Sequence, residues 1–343
     1  MSEARHRAGR GARPASRETP LLQRRSLLAA ATTAALLTSA RAQRSDVFPT
    51  RPVTLVVPFA VGGPTDAVAR ALAEALRPAL GVPIVVDNRA GAGGALANDF
   101  VARSAPDGHT LLLAGSSLTI NPAVTRSVLD PVHDLAAVSQ VLTLEIFLVA
   151  RAELPPRTLP QLVEYARARP GQLSFGSSGN GSVTHMQMEL LKALTGIHLV
   201  HIPYRGNAPA LQDLLGGQID LLFDSLATSG PHIRSGQLRP LAVAAPARSR
   251  HLPEVPTVVE AGVAGYEASA WSGILVAPKT PPALIQRLNR DIVAAVQDAG
   301  FQQRLDAIGG VAAGSTPAEY AKRIGRETAK WARLVKDRGI KAE

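Results

Sequence analysis

Two glycine- and serine-rich turns carry the residue types best suited to holding an anion. The first, Phe59-Ala-Val-Gly-Gly-Pro-Thr-Asp66, follows the apolar run Val53–Val57 and leads into the helical pattern Ala67–Leu76. A strand, a glycine turn and a helix in that order leave unpaired N–H groups at the helix start, with no side chain in the way. Gly62 and Gly63 permit backbone angles that other residues avoid, and Pro64 suits a first helical turn. The second turn, Gly176-Ser-Ser-Gly-Asn-Gly-Ser182, follows Leu173–Phe175 and precedes a helix that Ser182 can cap. A shorter one, Gly115-Ser-Ser117, ends the apolar run Thr110–Ala114.

Other chemistries fit these residues less well. Gly62-Gly63 is not followed by Gly-Lys-Ser/Thr, so it is not a phosphate loop. Leu96 stands where the third glycine of a dinucleotide fingerprint belongs after Gly91-Ala-Gly93, and Thr184 does so after Gly179-Asn-Gly181. Nucleotide cofactors are thereby excluded, and no cofactor is expected. Ser177 and Ser178 have His185 just beyond, but a nucleophile elbow needs glycine where Asn180 stands. A secreted hydrolase using Ser178 and His185 is one alternative reading. His198 and His201 lie three apart on an expected strand and so face opposite sides, which argues against a shared metal. There are no cysteines, so no disulfide or thiolate chemistry is open to the chain. Asp66 and Asp224 each follow a strand. Asp66 either complements the helix dipole or touches a ligand. Asp224 either accepts a ligand N–H or ties down its own loop.

The elements that must position these turns alternate between strand and helix. The first series has strands at Val53–Val57, Pro83–Asp87 and Thr110–Ala114; the second has them at Leu173–Phe175, Leu199–Tyr204, Ile219–Phe223 and Leu238–Ala244. This predicts two α/β domains with parallel sheets, whose ligand site lies beyond the carboxyl ends of the strands. The apolar run Gln140–Ala150 is suited to passing between domains, and Thr316 and Glu319 have capping-box spacing before the last helix.

Residues 1–42 read as an export leader. Arg24-Arg25 precede an apolar run, and Ala40-Arg-Ala42 matches a small-x-small cleavage pattern, so Gln43 is the expected mature N-terminus. The paired arginines fit the twin-arginine route or ordinary secretion. The chain has a net charge of +10, but eight arginines and two glutamates lie before Gln43, leaving 29 basic and 25 acidic residues after it. The excess of positive charge is mostly the leader's, and no nucleic-acid partner follows from it. No later segment reaches transmembrane length.

Six motifs then occur in order: Pro58–Asp66, Asp87-Asn-Arg-Ala-Gly-Ala-Gly-Gly94, Pro106-Asp-Gly-His-Thr-Leu111, Gly176–Ser182, His201-Ile-Pro-Tyr-Arg-Gly206 and Pro256-Thr-Val-Val-Glu-Ala-Gly262. Together they resemble the Bug-type extracytoplasmic solute receptors of tripartite tricarboxylate transporters, over essentially the whole chain after the leader. The resemblance implies a type II periplasmic binding fold: two α/β lobes, residues 43–145 with 267–343 and residues 146–266, crossed by two strands, with the ligand between them. It implies no catalysis, a periplasmic location and a small carboxylate ligand: a di- or tricarboxylate, an amino acid or an aromatic acid. It also implies a monomer that serves transporter membrane subunits or, alternatively, a signalling partner. Carried onto this chain, the ligand contacts are Phe59, Val61, Gly62, Gly63, Thr65 and Asp66 in the first loop. In the second lobe they are Ser177, Ser178, Asn180, Gly181, Ser182 and His185. Ser116, Ser117, Thr119, the turn Tyr204-Arg205-Gly206, and Asp224 complete the set. Gly63→Val is expected to block binding. The chain departs from the family pattern at Asp87, Ala90, His109, Arg205 and Val61, of which Val61 and Arg205 bear on ligand choice.

Overall fold

The structure, a computed structural model, describes residues 48–125 and 129–340; the expected leader at 1–42 lies outside them. Strand β1 (Val53–Val57) is almost wholly buried, as its β-branched run requires. Helix α1 (Pro64–Leu80) follows it and ends at Gly81 in the left-handed conformation, whose N–H closes on the Arg77 carbonyl. Strand β2 (Ile84–Asn88), helix α2 (Ala95–Ala102), strand β3 (Thr110–Gly115) and helix α3 (Ser117–Val124) complete the first series. Both β2 and β3 pair with β1 in parallel.

The apolar run at 140–150 resolves into two strands, β4 (Ala136–Leu144) and β5 (Ile146–Arg151), which belong to different sheets. Only Glu145 separates them. Its backbone N–H donates to the Gly309 carbonyl, and its buried carboxylate accepts from Ser249 Oγ at 2.5 Å. The chain therefore crosses between sheets at a pinned residue.

After α4 (Leu159–Arg167) the second series runs β6 (Ser174–Ser177), α5 (Val183–Thr195), β7 (Val200–Pro203), α6 (Asn207–Leu215), β8 (Leu221–Ser225), α7 (Leu226–Arg234) and β9 (Leu238–Val243). The chain then returns to the first sheet through β10 (Ala270–Val276). It closes with α8 (Pro282–Ala295), α9 (Ala299–Asp306), β11 (Gly310–Ala312) and α10 (Pro317–Arg338). The capping box at Thr316 and Glu319 forms at the start of α10 as the spacing predicts.

The first sheet has the order β11-β4-β10-β3-β1-β2 and the second β7-β6-β8-β5-β9. The cores of the two sheets are mixed rather than wholly parallel. In each, one strand delivered by the other half of the chain, β10 or β5, inserts antiparallel between its neighbours. The expectation of parallel sheets missed these two because a crossing strand reads as a plain apolar run. The segment around Pro253–Gly262 is a series of turns.

Apolar layers cover both faces of each sheet. The C-terminal helix links the lobes: Trp331, Leu334 and Val335 pack in one cluster with Ile120 and Val124 of α3 and with the second-sheet residues Leu148 and Phe223. Truncating a buried leucine such as Leu148 to alanine costs about 2–5 kcal/mol. No helix among the described residues is long and apolar enough to cross a membrane.

Candidate functional site

A cavity of about 520 Å³ lies between the lobes. The first lobe lines it with Phe59, Thr65, Gly93, Gly115, Ser116, Ser117 and Asn121; the second does so with Ser178, Asn180, Gly181, Ser182, Val183 and Thr184. The crossing segments add Leu144, Ile146, Ala270, Trp271 and Ser272. Every side chain of this lining is uncharged.

Three helices start at this cavity. Thr65 is the second residue of α1, Ser117 the first of α3, and Val183 and Thr184 the first two of α5. The backbone N–H groups of these four residues have no protein partner among the described residues, as helix geometry dictates for a first turn. Each helix start also carries the positive end of its dipole. Orphan donors and three helix N-termini make the cavity receptive to an anion without any basic side chain.

Each turn is held by a local bond that the sequence supplies. In the first, Asp66 Oδ2 accepts from Gly62 N–H and from Arg70 Nε, both at 3.0 Å, so the loop folds back onto its own helix. The Arg70 bond, the Gly62 bond and Asn88 nearby hold this carboxyl down to about 2, against the opposing effect of burial. Asn88 Nδ2 also donates to the Phe59 carbonyl at 3.0 Å. Gly62 has φ +83 and needs the freedom of glycine; Gly63 is extended, with φ −79. Beside it, Ser116 exchanges two bonds with Trp271: its N–H donates to the Trp271 carbonyl, and its Oγ accepts from Trp271 N–H at 3.0 Å. Asn121 Nδ2 donates to the Gly93 carbonyl at 2.6 Å.

In the second lobe Ser182 caps α5 by accepting from His185 N–H, and Ser178 N–H donates to Thr184 Oγ1 at 3.1 Å. Gly181 N–H donates to His185 Nδ1 at 3.0 Å, which fixes that ring nitrogen as an acceptor. The His185 ring stacks on His201 at 3.9 Å and 6°, and Phe175 continues the stack. Burial, with Lys192 nearby, holds His185 down to about 4; burial, with His185 itself, does the same for His201. Both imidazoles are therefore neutral at pH 7. Gly181 has φ +69, and a Cβ there would lie 2.8 Å from Val124 of the opposite lobe. This is a point where the lobes meet.

Comparison with known proteins agrees with this geometry. Residues 68–340 match the family described as tripartite tricarboxylate transporter family receptor. This chain belongs to that family. The receptor is 39% identical over 303 residues to the protein BugT of Bordetella pertussis (strain Tohama I), covering 87% of this chain and 92% of BugT. The solved structure of Rpa4515 of R. palustris with adipate superposes with a TM-score of 0.72 at 36% identity, covering 85% of this chain and 99% of that one. MatC of Rhodopseudomonas palustris, solved with bound malate, gives 0.68 at 33% identity, covering 84% and 100%. The fold is the expected type II one, with two α/β lobes and a cleft between them.

Of the residues expected at the receptor's site, the structure brings Phe59, Thr65, Ser116, Ser117, Ser178, Asn180, Gly181 and Ser182 to the cavity. The others stand elsewhere. Val61 is 68% exposed beside the first loop. Gly62, Gly63 and Asp66 shape that loop without lining the cavity. Thr119 is fully buried and donates from Oγ1 to the Ser116 carbonyl. Ser177 is fully buried with Oγ 2.7 Å from His201 Nε2, and His185 supports the Gly181 turn without lining the cavity. Tyr204 donates its hydroxyl to Asp213 at 2.6 Å, and burial, with that contact, pushes it up to about 12. Arg205 is exposed, and Gly206 precedes α6. Asp224 accepts from Asn207 Nδ2 at 2.7 Å and Thr228 Oγ1 at 2.6 Å, which ties down its own loop; burial pushes this carboxyl up. Ser178 and His185 share no hydrogen bond, so the pair that a hydrolase would need is not formed.

Sequence reasoning missed Gly93, Asn121, Val183, Thr184 and the crossing-strand residues. Leu144 and Ile146 were within reach, because they flank the one charged residue in the 140–150 run. Asn121 sits in a helix that carries Pro122 and β-branched residues and is buried on most sides, so no amphipathic pattern announces it.

Proposed function

We propose that this receptor is exported, captures a small carboxylate between its lobes, releases it unchanged, and presents the closed form to membrane transport subunits. The observation that carries this reading is the convergence of three helix starts on one uncharged cavity between the lobes. A carboxylate there accepts N–H bonds from Thr65 or Ser117 on one side and from Val183 or Thr184 on the other. Charge-assisted bonds of this kind are about twice as strong as neutral ones. Because the ligand touches both lobes only when they are together, it stabilises the closed form by its differential affinity.

The ligands bound to Rpa4515 and MatC, adipate and malate, support the same ligand class. We place the lobe passages at Glu145 and just before Ala270, and we take the working unit to be a monomer. Calorimetry against a panel of mono- and dicarboxylates, with product analysis, tests the reading. One acid binding at 1:1 and recovered intact is the expected result; consumption of the acid at catalytic rates would overturn it.

A further inference from the structure

One histidine ties the second-lobe turn at two points. We infer that His185 is a positioning residue for ligand capture: its Nδ1 holds the Gly181 turn at the cleft, and its freedom from charge lets an anion bind next to that turn; this rests on the carboxylate reading above.

His185 is the third residue after the cap Ser182 of α5. Its backbone N–H donates to Ser182 Oγ at 3.2 Å, and its Nδ1 accepts from Gly181 N–H at 3.0 Å. These two bonds follow the reciprocal logic of a capping box, in which glutamate or glutamine ordinarily takes the third position. Within this lock lie Val183 and Thr184, which line the cavity and whose N–H groups have no protein partner among the described residues. A glutamate in place of His185 would accept equally well, but its negative charge would compete with the ligand for the positive helix start. An imidazole accepts at Nδ1 only when it is neutral, with its proton on Nε2. The first lobe avoids a net charge in another way: Asp66 is ionised, and Arg70 balances it.

The surroundings favour that form of the ring. Glu189 Oε1 lies 3.8 Å from His185 Nε2, beyond hydrogen-bond reach but near enough to favour a proton there. Glu189 is itself met by Lys192 Nζ at 2.5 Å and, from α10, by Arg338 Nε at 3.6 Å. Burial and Lys192 both oppose a second proton on the ring. That proton would also face the stacked His201 ring, with Glu189 and Asp337 as the nearby acids. His185, Glu189, Lys192, His198 and Arg338 line a second cavity of about 460 Å³, which shares Asn180 with the ligand cavity. The ring is therefore reached from outside without passing the ligand.

The test is calorimetry at pH 7 on His185→Asn, His185→Asp and His185→Leu, with circular dichroism as the fold check. The three side chains share one branched shape; asparagine and aspartate place an oxygen where Nδ1 stands, and leucine places a methyl group. The probe is the tightest-binding of adipate, malate, succinate and benzoate. His185→Leu is expected to bind at least about tenfold more weakly than wild type, a gap of about 1.4 kcal/mol. His185→Asn is expected to recover affinity to within about threefold of wild type, and His185→Asp to bind at least about tenfold more weakly than His185→Asn. Equal losses in His185→Asn and His185→Leu would overturn the acceptor role, and equal affinities in His185→Asn and His185→Asp would overturn the charge requirement. Nitrogen NMR of the wild-type receptor needs no variant to fold: a proton on Nε2 and a bare Nδ1 with the acid bound are expected, and a proton on Nδ1 would overturn the inference. If none of these acids and none of the wider carboxylate panel binds wild type, the carboxylate reading itself fails and takes the inference with it.

Discussion

The two lobes share one strand plan and differ in how they hold the turn that faces the cleft. Each sheet sets three parallel strands beside one antiparallel strand from the other half of the chain, in the orders β2-β1-β3-β10-β4 (with β11 added at the β4 edge) and β7-β6-β8-β5-β9. The first lobe secures its loop with an ionised carboxylate, Asp66, held by Gly62 and Arg70. The second secures its loop with a neutral imidazole, His185, stacked on His201 beneath Gly181. One scaffold thus presents two cleft-facing turns, and each turn depends on a different protonation state. The shared architecture fixes where the helix starts lie; the residue behind each loop fixes the conditions under which it holds.

Acid separates the two lobes most strongly. His185 and His201 titrate at about 4 when folded, below their ordinary value of 6.5, so the folded state binds fewer protons than the unfolded state between these limits. Their stabilisation is complete above pH 6.5 and is lost as pH falls towards 4, on the order of 3 kcal/mol for the pair after allowance for solvent screening. Asp66 is also depressed, from 3.8 to about 2, so its contribution persists to pH 3.8 and is lost only as pH falls towards 2. Thermal melts from pH 7 to 4 are expected to fall in a window set by the second lobe. The variant His201→Phe should show a clearly shallower slope there, while Asp66→Asn should leave that slope unchanged. Equal slopes in wild type and His201→Phe would remove the histidine pair from the account.

Substitutions at the loop glycines sharpen the contrast at pH 7. Gly181→Val meets both a left-handed backbone and Val124 across the cleft, and is expected to weaken ligand binding by about 100-fold. Gly62→Val meets the backbone penalty alone, since nothing lies within 4 Å of its Cβ, and should cost about tenfold. Gly63→Val, expected from the sequence to block binding, should cost less than about threefold, because Gly63 is extended and its Cβ would only touch the Ala60 carbonyl at 3.5 Å. Calorimetry with circular dichroism as a fold check ranks the three; Gly63→Val weaker than Gly62→Val would reverse the assignment of the first loop. The smallest effect belongs to Arg205, exposed beside the second loop and without an ion pair among the described residues. Arg205→Ala should slow association at low salt and leave the equilibrium affinity nearly unchanged, which stopped-flow rates at two ionic strengths will show.

The cleft-facing turns were legible in the sequence because their chemistry is local. A strand, glycines and a capping residue in order suffice to predict an exposed helix start, and Thr65, Ser117 and Ser182 duly line the cavity. Tertiary placement was not legible. Tyr204 and Asp224 sit next to site elements in sequence, yet their side chains are bonded to Asp213 and to Asn207 and Thr228. Helix α7 was missed because Ser229, Gly230 and Pro231 lower its helix propensity, and packing overrides them. The antiparallel strands β5 and β10 complete sheets begun elsewhere in the chain, a long-range fact that no local pattern records.

The most direct test of the central claim, a carboxylate clamped by backbone N–H groups from both lobes, is a crystal structure of the receptor with a bound acid. The account predicts carboxylate oxygens about 2.7–3.2 Å from the N–H of Thr65 or Ser117 and of Val183 or Thr184, with no lysine or arginine in contact. A carboxylate held by a basic side chain, or an acid bound outside this cavity, would contradict it.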